Sequence, residues 1–170
     1  MKAISSWHVG VAAEAFAAAL FARLGYDVSV QYGANQPEYD LIAVSGDKML
    51  KISVKGSQDG GWGLTQSYKK GCDYQEAIQK WLSNHHKKTI FCLVQFKGTE
   101  DHEMPRMYLA SPVEIAEVLK KSAGGRGETI LYEYHEWGPR AVGRGTIDRV
   151  PDEWRFTAER AKDMFETYGQ

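Results

Sequence analysis

Apolar and polar positions alternate most cleanly at residues 50–55, where Leu50, Ile52 and Val54 interleave with Lys51, Ser53 and Lys55. A period of two is that of a half-buried strand, and it sets Lys51, Ser53 and Lys55 on one face. The run Leu41, Ile42, Ala43, Val44 is short and partly β-branched, and reads as a second strand. Ser45, Gly46, Asp47 and Lys48 between the two supply turn chemistry. The expected antiparallel hairpin opens on Asp40 and brings it beside Ser53 and Lys55.

The rest of the chain reads as alternating helices and strands. Ser5 or Ser6 caps a helix running to about residue 24, stopped by Gly25. This helix is rich in alanine, and Glu14 is its only charge between Val9 and Ala22, so most of its surface is expected to be buried. Residues 26–32 read as a strand with Val28 and Val30 on one side, and 33–37 as a loop. Residues 56–63 form a glycine-rich loop holding Trp62, without the Gly-Lys-Ser/Thr ending of a phosphate-binding loop. A helix over 74–84 turns Ile78, Trp81 and Leu82 inward. The nearly continuous apolar run at 89–96 is expected at the centre of the sheet. A short strand at 106–110 leads to a helix over 113–121, capped by Ser111 and Pro112. A further strand is expected at 129–135, then a segment rich in glycine and arginine, then a last helix near 157–168.

Length and composition narrow the class. A chain of 170 residues is one domain by size, read as a core over about 5–121 and an extension over about 122–170. The net charge of −1 gives no global signal for nucleic acid, but a local basic groove serves as well. Cys72 and Cys92 have no metal-knuckle spacing and read as free thiols of a reducing compartment. No basic and apolar leader opens the sequence, and the apolar run at 9–22 is too short to span a bilayer. A cytoplasmic location without membrane association is the expectation.

The motifs Gly10-x-x-x-Glu14, Leu24-Gly25-Tyr26-Asp27-Val28, Tyr39-Asp40-Leu41-Ile42 and Ile52-Ser53-Val54-Lys55 together resemble the PD-(D/E)xK nucleases. Within that restriction-endonuclease-like superfamily, the string is similar to the Holliday junction resolvase-like branch and its bacterial relatives. The likeness covers about residues 9–110. It implies an α/β fold, a central mixed β-sheet flanked by helices. It also implies a catalytic set of Glu14, Asp40, Ser53 and Lys55, and DNA as partner, with a homodimer allowed. The family's second acid stands two positions before the lysine, where this chain has Ser53.

A Mg²⁺ or Mn²⁺ cofactor wants hard oxygen ligands. The resemblance assigns these to Asp40, Glu14 and the Val54 carbonyl, and gives Lys55 the task of orienting water and balancing charge. Weak metal binding is expected, because a serine hydroxyl replaces a carboxylate. Glu14 has alternatives as the partner of a buried ion pair with Lys55 or as a residue on an exposed helix face. Ser57 and Gln58 follow the lysine and could donate to a phosphate. Lys69, Lys87 and Lys88 belong to the most basic stretch, with Lys70, Lys80, His85 and His86, and read either as a phosphate-tracking surface or as a solvated face. Arg140, Arg144 and Arg149 form a second basic group whose partner the sequence leaves open. Two functions follow: a metal-dependent nuclease hydrolysing DNA, or a degenerate member of the fold that binds nucleic acid or protein without cutting.

Overall fold

The computed structural model describes residues 3–31, 38–85 and 87–170. The fold is mixed α/β, built on a five-stranded sheet. Its strands are β1 (Asp27–Val30), β2 (Leu41–Ser45), β3 (Lys48–Ser57), β5 (Thr89–Gln95) and β6 (Arg106–Ala110). They lie in that spatial order, all antiparallel except the parallel β3–β5 pair. The short β4 (Gly61–Gly63) lies outside this sheet. The parallel pair requires a crossover, and α2 (Tyr74–Asn84) supplies it. The run at 89–96 is thus interior but not central. That place belongs to β3, which carries the candidate lysine.

Helices cover both faces. On one face α1 (Ser6–Arg23) and α4 (Ala158–Tyr168) pack Ala13, Ala17, Phe21, Met164 and Phe165 against Leu41, Ile52, Val54, Ile90 and Cys92. On the other, α2 and α3 (Pro112–Lys121) pack Ile78, Trp81, Ile115 and Leu119 against Phe91 and Leu93. Paired residues of neighbouring strands share a face. Ser53 opposite Phe91 and Lys55 opposite Leu93 therefore point to the α2–α3 side, while Ile52 and Val54 point to α1. Each helix begins on a side chain that accepts a backbone N–H: Ser5, Asp73, Ser111 and Thr157.

Four further expectations are corrected. First, α1 is not buried over most of its surface: Val9, Ala13, Ala17 and Phe21 form a single buried stripe, and Trp7 and Val11 are exposed. Alanine is apolar wherever it sits, so an alanine-rich helix overstates its own burial. Second, both ends of the expected glycine-rich loop are strand, and only residues 58–60 between them bend. β3 runs on to Ser57, and β4 pairs with β7 (Ile130–Tyr132) around a buried Trp62. Third, 129–135 is two strands, because β7 and β8 (Tyr134–Glu136) separate at Glu133, and β8 pairs with β9 (Ile147–Arg149). Glu133 donates its N–H to Gly60 and accepts from Arg106, so both its backbone and its side chain turn away from a continuous ladder. Fourth, the first strand ends at Val30. The expected loop at 33–37 lies outside the described residues.

Candidate functional site

The site is built where β2 begins. Asp40 stands one residue before the strand, and its N–H donates to the Ile52 carbonyl at 2.9 Å. Its carboxylate Oδ2 accepts the Val54 N–H at 2.6 Å. The side chain thus continues the ladder in place of the backbone. A charge-assisted bond of this kind fixes the carboxylate more firmly than a neutral one. Oδ1 accepts no hydrogen bond among the described residues. In a strand, one residue's N–H and C=O face the same edge. The Val54 carbonyl therefore points to the Asp40 side, past the ladder that starts at the Leu41–Ile52 pair.

Gly56 brings α1 onto this strand end. A Cβ there would lie 2.8 Å from Ala13 Cβ and 2.9 Å from the Val9 carbonyl, so only glycine permits the approach. Glu14, next to Ala13, is half-buried. Burial, and then the negative charge of Asp40, raise its carboxyl above the usual range, and the positive charge of Lys55 opposes them. Asp40 and Lys55 thus both lie close enough to act on Glu14 electrostatically. Lys55 itself is exposed and forms no ion pair within 4.0 Å among the described residues. The ion-pair alternative for Glu14 is therefore not realised as a direct contact.

Ser53 is 3% exposed, beside Phe91. Glu38, two residues before Asp40, is held by His85, whose Nδ1 lies 2.5 Å from Glu38 Oε1. The His85 ring packs against Trp81 and Phe91, with centroids 4.5 and 5.3 Å away. This bridge ties the end of α2 to the approach of Asp40. Partners 47 positions apart leave no trace in local spacing. Among the described residues no group of three or more His, Cys, Asp or Glu side chains is gathered as a metal cage.

The proposed phosphate contacts have separate surroundings. Ser57 is buried and its hydroxyl donates to Asp59 at 2.9 Å, whereas Gln58 is exposed. Both line a cleft of about 270 Å³ that also contains Lys55. Lys69 is half-buried, donates to the Cys72 carbonyl at 2.9 Å and sits over the Tyr74 ring. Lys87 is exposed and Lys88 half-buried in the turn after α2, and His86 lies outside the described residues. Lys80 pairs with Glu76, and Arg149 with Asp152. Burial pushes the Cys92 thiol up, as suits a core residue, while Cys72 is half-buried and donates to the Tyr68 carbonyl. Among the described residues, no helix is long and apolar enough to cross a membrane.

No protein-family model matches the chain, and no curated protein matches it. Among solved structures the chain is similar to that of a bacterial homing endonuclease, I-Ssp6803I, at a TM-score of 0.47 and 16% identity, over 96% of this chain and 94% of that one.

Proposed function

We propose that the protein is a metal-dependent nuclease of the PD-(D/E)xK type, hydrolysing DNA phosphodiester bonds. The observation that carries this reading is the placement of Asp40. Its carboxylate Oδ2 is held by the Val54 N–H, which faces the same strand edge as the Val54 carbonyl, and Oδ1 accepts no hydrogen bond among the described residues. Hard oxygen donors on a rigid strand end are what Mg²⁺ or Mn²⁺ requires. Asp40, Glu14 and the Val54 carbonyl would hold the ion, which when bound supplies Lewis acidity toward a phosphate oxygen. Lys55 orients the attacking water and offsets negative charge developing at the phosphorus. The raised carboxyl of Glu14 suits the same role, because a cation relieves its repulsion from Asp40.

The second reading is a degenerate member of the fold that binds nucleic acid or protein without cutting. It is favoured by Ser53, which replaces the usual acid, and by the engagement of Glu38 with His85. Cleavage assays on single-stranded and duplex DNA separate the two readings. The nuclease reading expects cutting with added Mg²⁺ or Mn²⁺, none with a chelator, and none after Lys55→Ala. DNA binding that weakens steeply with salt, without cleavage under either ion, leaves the binding role.

A further inference from the structure

Among the described residues, the one ring that Trp7 meets is that of its neighbour His8, edge-on with centroids 5.2 Å apart. Trp7 is 69% exposed, as are Ile4 just before the helix at 65% and Val11 one turn on at 47%. Trp7, Val11 and Glu14 follow the i, i+4, i+7 spacing of a single helix face. The fold buries a different stripe of this helix, from Val9 to Phe21. With Gly10, Ala15, Val30 and Gln31, these residues line an open cavity of about 550 Å³. The space over Gly10 is clear, since a Cβ there would meet nothing within 4 Å.

The chemistry of the walls selects an occupant. Among the described residues Glu14 is the only charged one lining the cavity, so a phosphate would meet one anion and no cation from them. An indole, aliphatic side chains and an amide suit the uncharged face of a nucleobase, which stacks well on an exposed aromatic ring. Glu14 links the cavity to the candidate site: it lines the cavity, and it also feels the charges of Asp40 and Lys55, which do not line it. Trp7 lies seven residues from Glu14, which at 1.5 Å per residue is about 10 Å along the helix. That is roughly three stacked base steps. We propose that Trp7 is a stacking platform for an unpaired nucleobase within about three nucleotides of the phosphate held at Asp40 and Lys55. The substrate is then a strand with an unpaired base at that point. In a continuous duplex, neighbouring base pairs cover the faces that the indole needs. This inference rests on the nuclease reading of the site that shares Glu14.

The test uses the full chain carrying Asp40→Asn, so that bound DNA is not cut. It is titrated with an oligonucleotide containing 2-aminopurine, as a single strand and as the matched duplex. Trp7→Ala should weaken single-strand binding about tenfold and change duplex binding by less than about twofold. Trp7→Phe should keep most of the affinity. The 2-aminopurine signal should be quenched by the parent and by Trp7→Phe, but not by Trp7→Ala. Equal losses on both DNA forms, or no loss on either, overturn the inference. If Trp7→Ala converts a dimer to a monomer without selective loss on single strands, a second copy is the occupant and the inference is again overturned. If the parent binds neither form, the nuclease reading falls with it. If wild type cuts DNA and Trp7→Ala binds like its parent, only the stacking role falls.

Discussion

Asp40 Oδ2 accepts the Val54 N–H at 2.6 Å, so one carboxylate both continues the β2–β3 ladder and is the ligand proposed for the metal ion. The two duties separate by substitution. Asn keeps an acceptor for Val54 but loses the charge, whereas Ala loses both. Asp40→Asn should abolish cleavage while costing little stability. Asp40→Ala should lose cleavage and also about 1–3 kcal/mol, the cost of leaving a buried N–H unpaired. Denaturant unfolding beside a cleavage assay checks the pair, and equal stability of the two variants would show that the Val54 bond contributes nothing.

Glu14 carries a pH signature. Its carboxyl is raised in the folded state by burial and by Asp40. The folded protein therefore holds the proton more tightly than the unfolded chain does, and stability falls as pH rises through that range. In chelator, Glu14→Gln should melt higher than wild type at neutral pH, by about 1–2 °C, as suits a fraction of a kcal/mol in a domain of this size. The gap should close below pH of about 4, where Glu14 is protonated in both states. Thermal melts across pH decide it; a gap that widens in acid would mean that Glu14 is stabilised as the anion.

Gly56 sets how closely α1 approaches β3. Gly56→Ala would place a methyl 2.8 Å from Ala13 Cβ and 2.9 Å from a backbone carbonyl, neither of which is a flexible side-chain end. The helix has to shift, at a cost of about 1–3 kcal/mol for overpacking. Glu14 moves with it, so any Mg²⁺- or Mn²⁺-dependent rise in Tm should shrink as well. Gly10→Ala is the control, because it meets nothing within 4 Å and lies on the same helix. Equal stability of the two variants would mean that α1 is not held at Gly56.

The hairpin was legible because alternation at 50–55 and turn residues at 45–48 are local signals, and both strands form as that pattern requires. The face assignment of Ser53 and Lys55 follows from the same period. The backbone bond from Val54 to Asp40 was not legible, since a side chain that continues a ladder has no pattern of its own. The same limit hid Glu38 and His85, which meet through tertiary packing alone. β4 is not legible, because a three-residue strand with a glycine at each end resembles a turn until its partner β7 is known. The exposure of Val11 is not legible either, since a run of alanines does not reveal which stripe of α1 the sheet takes.

Ser53 is the sharpest test of catalysis. It is 3% exposed, beside Phe91, on the sheet face that also carries Lys55. Ser53→Glu restores the acid that the resembled family has two positions before the lysine. In that buried position the new carboxylate has no cationic partner of its own, and Lys55 is exposed. Without metal the variant should therefore be destabilised by about 1–3 kcal/mol, and its Tm should fall by several degrees. Added Mg²⁺ or Mn²⁺ should restore much of that loss by binding a third carboxylate, and the cleavage rate should rise above wild type. Ser53→Gln fills the same volume without the charge, so it should lose stability with no recovery on adding metal. If wild type cuts DNA well and Ser53→Glu destroys cutting, the site is complete with Glu14 and Asp40, and Ser53 is not a missing ligand. If neither protein cuts any DNA form with either ion, the nuclease reading gives way to the binding role.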